Sequence, residues 1–375
     1  MNNPGATADN PFELLVRTRT VLLDALEALV DHRDVVIIVG AQAVYLHTGG
    51  VEVAIAEATK DSDVMVDIRE LGGDPTINEA MERADFIINP KTNQPGAWLS
   101  PDGIPVDIMV PEAIAPGKGK RSVHQPPHDK MAMRRTRGLE AAAVDNSEMV
   151  VRALTEDDSR SITAKVAGPA ALIIAKCHKI HERVGGPADR IKDKDAHDIY
   201  RILLAFEPDE LTPAFTRLLA EEISAEVTSE AIGILQNLFA DGPGATGSVM
   251  VGRAEHTVGD PEQVSAAVSI LAEELVEAVR GIALPEARGK LRPMTSEHHQ
   301  QQLITIREVI VGELQRGGAQ DDLAYAVAPG ASANQMLAPA QVAALEADLA
   351  LVQEALDGAE LSDEEFTRLN RHIGN

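Results

Sequence analysis

The stretch at residues 59–66, Thr-Lys-Asp-Ser-Asp-Val-Met-Val, constrains the fold most, because two acids precede an apolar run typical of a strand. Residues i and i+2 of a strand point to the same face, so Asp61 and Asp63 would lie about 6–7 Å apart along that face. Two like charges at this spacing repel each other, whereas a divalent cation between them turns the pair into a binding site. The alternative is a strand end that carries two solvated acids.

Apolar runs before and after this stretch predict further strands. Residues 35–39 (VVIIV) form a β-branched run that stops at Gly40, and residues 41–47 predict a helix. A glycine between strand and helix lets a ligand approach the backbone, and a helix N-terminus favours anions. Residues 103–110 (GIPVDIMV) predict another strand, in which Asp107 is unusual because an unpaired acid is costly to bury. Three carboxylates beside an anion-binding turn indicate two-metal phosphoryl or nucleotidyl transfer.

The glycine turn, the Asp-x-Asp strand and the acid in PVDIMV resemble those of DNA-polymerase-β-type nucleotidyltransferases. Within that group, the chain is similar to the AbiEii-type toxins of bacterial toxin–antitoxin systems. The resemblance covers roughly residues 12–206 and includes Lys176 and the KDKDAHD segment at residues 192–198. The chain departs from the family pattern at Gly40-Ala41, where Gly-Ser or Gly-Gly is usual, and in a longer segment between Gly40 and Asp61.

The resemblance implies a metal centre and a reaction. Asp61 and Asp63 would hold Mg²⁺ or Mn²⁺ ions that bridge the triphosphate of an NTP, and Asp107 would complete one metal shell and help to deprotonate the attacking hydroxyl. The acceptor would be tRNA or another RNA. The protein would be a toxin restrained by an antitoxin protein.

The resemblance also implies nucleotide contacts from a later helical pair. Lys176 would contact the triphosphate and neutralise charge on the departing pyrophosphate, with Asp195 holding the lysine in position. Asp198 would be a structural or capping acid. A lone lysine in a helix is otherwise a surface residue, and ordinary ion pairing among the many cations here is the alternative. The predicted nucleotide-binding residues are Gly40, Ala41, Thr59 and Lys176.

Composition limits the classes of function. The chain of 375 residues is 44% hydrophobic, which predicts a globular protein of two or three domains. The net charge of −25 argues against non-specific nucleic-acid binding over the whole surface. The single cysteine, Cys177, excludes a disulfide framework and a cysteine-based zinc site. We expect a cytoplasmic protein without membrane contact, because neither a signal peptide nor a long uncharged apolar run is evident.

One basic stretch, residues 117–137, departs from the acidic balance. It carries seven cations against one acid, Asp129, and predicts either a solvated loop or an RNA-facing surface. His124 and His128 flank Pro126-Pro127, which breaks a helix, so metal binding by these histidines is not expected. The candidate RNA-binding residues are Lys118, Lys120, Arg121, Arg134, Arg135 and Arg137.

The predicted fold is α+β (α/β-like), with a polymerase-β-type core of a small mixed sheet flanked by helices. The core would span residues 11–206, with catalytic strands at 35–110 and the Lys/Asp helical pair at 168–206. A helical domain at 207–284 and an acidic helical segment at 294–375 would follow. Two alternatives to RNA modification stay open: an antibiotic-type nucleotidyltransferase acting on a small molecule, and a binding module without turnover on the same fold.

Overall fold

The computed structural model describes residues 11–49, 61–117, 121–184, 192–256 and 259–283, together with 347–350 and 352–353. The chain divides into one compact unit that ends at Ala283 and a second unit, residues 284–375. Thr59, Lys118, Lys120 and nearly all of the predicted acidic segment lie outside the described residues. Among those described, no helix combines the length and the apolar character that a membrane crossing requires.

The described strands form one mixed sheet of eight strands in the order β3-β4-β5-β2-β1-β8-β7, with β6 also paired to β5. Strands β1 and β2 are antiparallel, whereas β2 runs parallel to β5 and β1 runs parallel to β8. The strand bounds are β1 Val36–Val39, β2 Ser62–Val66, β3 Ile87–Ile88, β4 Ala97–Leu99, β5 Pro105–Pro111, β6 Arg134–Thr136, β7 Asn146–Arg152 and β8 Ser161–Ala167.

The helices begin at residues that suit a helix N-terminus. Thr76 caps the third helix through a reciprocal capping box with Glu79, and Pro169 is the first residue of the fourth. The side chain of Asp145 accepts the N–H of Ala171 at 3.1 Å and so caps the fourth helix from outside. The bounds are α1 Pro11–Ala28, α2 Gly40–Thr48, α3 Ile77–Arg83, α4 Pro169–Val184, α5 Asp193–Ala205, α6 Pro208–Ala220, α7 Ala225–Leu235, α8 Thr246–Ala254 and α9 Pro261–Ala283.

The core lies between the sheet and its helices and is largely aliphatic. Every residue of β1 is buried, as its β-branched sequence predicts. Trp98 is 1% exposed on β4, and its indole N–H donates to the carbonyl of Ala132 at 2.9 Å, so it packs within the fold as expected. Helices α7 and α8 pack on α4 and α5, respectively. The mixed sheet flanked by helices confirms the α+β class at this level.

Backbone conformation sets two element boundaries in this unit. Strand β3 is limited to Ile87–Ile88, because α3 ends at Arg83 and a turn with Asp85 at positive φ follows. Helices α6 and α7 separate at Glu221, where the backbone is extended.

Candidate active site

Two of the predicted carboxylates face each other across neighbouring strands. Asp63 of β2 and Asp107 of β5 are partners in the parallel register, so their side chains leave the same face of the sheet. Parallel neighbours lie about 4.8 Å apart, which is within reach of one shared ligand. Asp61, which was expected on the same strand as Asp63, lies one residue before β2 begins.

Helix α5 reaches the same group of acids. The ammonium of Lys194, in its first turn, lies 3.8 Å from Oδ1 of Asp61. The acids on β2 and β5 and the later helical pair therefore meet at one place, as the resemblance implies. We call Asp61, Asp63 and Asp107 the carboxylate group.

The carboxylate group is electrostatically strained. Burial, and after it the charge of Asp61, raises the pKa of Asp63 to about 7, while Lys179 and Lys176 oppose the rise. Burial also raises the pKa of Asp107, although Arg134 works against it. Carboxyls with raised pKa values that lie side by side are typical of functional sites and of cation-binding sites.

The turn after β1 is shaped around one of these acids. Gly40 has φ +69°, and a Cβ built there would lie 2.2 Å from Oδ2 of Asp63. The glycine is therefore required by the close approach of Asp63 as well as by its own backbone conformation. Ala41, the next residue, is buried in the first turn of α2 and offers no polar side chain. Of the predicted nucleotide-binding residues, Gly40 thus lies directly against the carboxylate group, and Ala41 follows it in the chain.

Lys176 and Asp195 also come together, but deep inside the protein. The Nζ of Lys176 lies 3.0 Å from Oδ1 of Asp195 and 2.5 Å from Oδ2 of Asp198. The lysine side chain is 5% exposed, so it is not the surface residue that a lone helical lysine usually is. Burial alone would lower the pKa of Lys176, but the charges of Asp198 and Asp195 hold it above its usual value. Asp198 therefore shares the role expected for Asp195 alone.

Asp195 bonds two further cations from α4. Oδ1 lies 3.0 Å from Nζ of Lys179, and Oδ2 lies 2.5 Å from a guanidinium nitrogen of Arg183. Although burial would raise the pKa of Asp195, these charges and Lys176 keep it far below its usual range. Lys179 and Arg183 are two of the many cations that the sequence has in this region. Their i+3 and i+7 spacing from Lys176 was the signal that could have placed them on the same helix face.

The predicted basic stretch is not arranged as one exposed cationic surface where the structure describes it. Arg121 is exposed. Arg135 donates to the carbonyls of residues 115–117, at distances from 2.5 to 3.1 Å. Arg137 bonds Glu226 and Glu230 of α7, each at 2.8 Å. His128 is buried, and its Nδ1 accepts the N–H of Ile77 at 3.0 Å.

Arg134, which was expected to face RNA, bonds a member of the carboxylate group. It lies on β6, which pairs with β5 beyond the end of β4, and its guanidinium donates to Oδ2 of Asp107 at 2.7 Å. This contact was missed at the sequence level, because it depends on a parallel pairing between segments 27 residues apart.

The chemistry of the carboxylate group suits a hard cation. Carboxylate oxygens are the ligands that Mg²⁺ and Mn²⁺ prefer, and the mutual repulsion of the three acids is what a divalent ion would relieve. Within the described part of the chain, however, no three His, Cys, Asp or Glu side chains stand as a ready metal cluster. Arg134 already bonds one oxygen of Asp107, so a metal would meet a competing cation there.

Comparison with known proteins adds no relative to this picture. No protein-family model, no curated protein and no solved structure matches the chain. What the protein does must therefore be argued from the geometry of the site.

Proposed function

We propose that the protein is a metal-dependent nucleotidyltransferase of the polymerase-β type, which moves an NMP from an NTP to an acceptor hydroxyl. The observation that carries this proposal is the parallel register that sets Asp63 beside Asp107, with Asp61 two residues away. A group of acids on adjacent strands, next to a glycine turn and a cationic helical pair, is the arrangement that two-metal phosphoryl chemistry uses.

Each residue of the site has a role in this proposal. Asp61, Asp63 and Asp107 would hold the Mg²⁺, which supplies charge neutralisation at the triphosphate when bound. Asp107 would accept the proton of the attacking hydroxyl, with Arg134 fixing its orientation. The cations of α4 would oppose the charge that develops on the leaving pyrophosphate.

Labelled NTPs test this proposal directly. The protein is incubated with Mg²⁺, total cellular RNA and each NTP in turn, labelled either at the α- or at the γ-phosphate. Nucleotidyl transfer leaves the α-label on the acceptor and releases the γ-label in pyrophosphate, whereas phosphoryl transfer leaves the γ-label on the acceptor and the α-label in the released NDP. Asp61→Asn and Asp63→Asn should each lower the rate by at least about 100-fold. Full activity in both variants, or γ-label on the acceptor, would reject the proposal.

A small-molecule acceptor is the second candidate. One observation favours it, namely that three arginines of the basic stretch bond other groups of the protein. Arg134 bonds Asp107, Arg135 bonds backbone carbonyls, and Arg137 bonds glutamates. Within the described part of the chain, these three arginines would then offer RNA no shared cationic surface. Repeating the assay with hydroxyl-bearing small molecules, antibiotics included, in place of RNA separates the two. If the protein binds an NTP but transfers no label to RNA or to a small molecule, a binding module is favoured. The toxin role stays a prediction.

A further inference from the structure

Lys176 is poorly placed to touch a substrate. Two of its three ammonium donors are used by Asp195 and Asp198, and the side chain is 5% exposed. To reach a phosphate, the lysine would have to leave two buried carboxylates without their partner, which is strongly unfavourable. A residue held in this way positions others rather than binding a ligand.

Lys179 is better placed for that contact. It lies one helical turn after Lys176 on the same face of α4, and its Nζ also lies 3.0 Å from Oδ1 of Asp195. Its side chain is 34% exposed, so the ammonium keeps access to solvent. Its charge also lowers the pKa of Asp63 and of Asp107, so the ammonium acts on the carboxylate group as well as on Asp195.

The charges around Asp195 do not cancel. Among the residues that the structure describes, three cations of α4 (Lys176, Lys179 and Arg183) meet two acids of α5 (Asp195 and Asp198), one more cation than acids. That excess lies on the more exposed members of the cluster. A compact ammonium on a flexible stem suits the non-bridging oxygens of a phosphate chain.

We propose that Lys179 contacts the polyphosphate chain of the substrate, and that Lys176 acts as a positioning residue that fixes Asp195 and, through it, Lys179. This inference rests on the proposed function, since it places the phosphates of an NTP beside the carboxylate group. The family resemblance implies that Lys176 contacts the phosphates, whereas this proposal assigns that contact to Lys179, one turn later on α4.

Binding of inorganic tripolyphosphate in the presence of Mg²⁺, measured by calorimetry, tests the proposal. Three variants of the full chain are compared with wild type: Lys179→Met, Lys176→Met, and Lys192→Met as a control at an exposed lysine before α5. Lys179→Met should weaken binding by about 10- to 100-fold, the loss expected for one charged hydrogen bond, and leave the unfolding temperature close to wild type. Lys176→Met should unfold early, and Lys192→Met should change neither quantity.

A conservative variant separates contact from support. Lys179→Arg keeps the charge and should retain most of the tripolyphosphate affinity lost in Lys179→Met. If Lys179→Met binds like wild type, the proposal is wrong. If it unfolds as early as Lys176→Met and Lys179→Arg restores neither binding nor stability, Lys179 only supports Asp195, and the proposal is equally rejected.

The outcome is distinguishable from failure of the proposed function. Suppose that wild type transfers no label from any NTP, yet binds tripolyphosphate more tightly than Lys179→Met does. The phosphate contact of Lys179 is then supported and the transferase activity is rejected. If wild type transfers label and Lys179→Met has the same KM for the NTP as wild type, the transferase stands and the role of Lys179 falls.

Discussion

Arg134 and Asp107 form an ion pair at 2.7 Å inside the carboxylate group, so the third acid of the candidate site already has a cationic partner. Both side chains are only partly exposed, at 24% and 19%. A charged hydrogen bond of this kind is about twice as strong as a neutral one. The arginine thus both orients Asp107 and competes for the oxygen that a metal would bind.

Arg134→Gln tests this competition. We expect the variant to bind Mn²⁺ about tenfold more tightly, because the competing positive charge is gone while a shorter, uncharged polar side chain remains. Calorimetry with Mn²⁺ in the absence of NTP measures it, and Arg121→Gln, at an exposed arginine, is the matched control. Weaker binding in Arg134→Gln would mean that orientation of Asp107 matters more than competition.

Asp63→Asn should make the protein more stable but abolish its transfer activity. Burial and the neighbouring acids raise the pKa of Asp63 to about 7, so above that pH its charge opposes folding, and the neutral amide removes the cost. At pH 8 we expect the midpoint of thermal unfolding to be at least about 1 °C higher, the shift that 1 kcal/mol gives in a chain of this size, with transfer abolished. Asp67→Asn, which removes an acid paired with Arg69 just after β2, should not raise the midpoint.

Gly40→Ala should damage the site through a steric clash. The new Cβ would fall 2.2 Å from Oδ2 of Asp63, in addition to the cost of a positive φ. Gly103→Ala is the matched control, because Gly103 also has positive φ, +75°, but has no atom within 4 Å of the added Cβ. Denaturant unfolding should show a larger loss of stability for Gly40→Ala by more than about 1 kcal/mol. Equal losses would show that Asp63 moves aside freely.

Glu274 on α9 gives the fold a pH dependence away from the site. Burial raises the pKa of Glu274 to about 7, and Glu207, Glu273 and Glu277 add to the rise. Because the folded pKa lies above the ordinary 4.5, the stabilisation is complete below about pH 4.5 and is lost as pH rises through about 7.

Glu274→Gln should therefore unfold at a higher temperature than wild type at pH 8 and show no such gain at pH 4. Thermal unfolding at both pH values measures the difference. Glu222→Gln, at an exposed glutamate, should show no pH-dependent gain. If the unfolding temperatures of the two variants change equally with pH, Glu274 is not the source of the pH dependence.

Local sequence pattern predicted the elements of the site better than their contacts. The β-branched run of β1, the Asp-x-Asp spacing and the proline that opens α4 are local signals, and each element lies where they placed it. The burial of Lys176 was not predictable in this way, because it arises from packing of α5 against α4. The same holds for Arg137, whose partners on α7 lie 89 and 93 residues away along the chain.

Asp195 accepts bonds from Lys176, Lys179 and Arg183, which lie on three successive turns of α4. A slide of α4 along α5 by one turn, about 5.4 Å, would break at least one of these three bonds and change the partners of the others. Rotation of either helix about its axis would have the same effect. The three bonds therefore oppose sliding and rotation of one helix against the other, and we expect α4 and α5 to move together when a substrate enters.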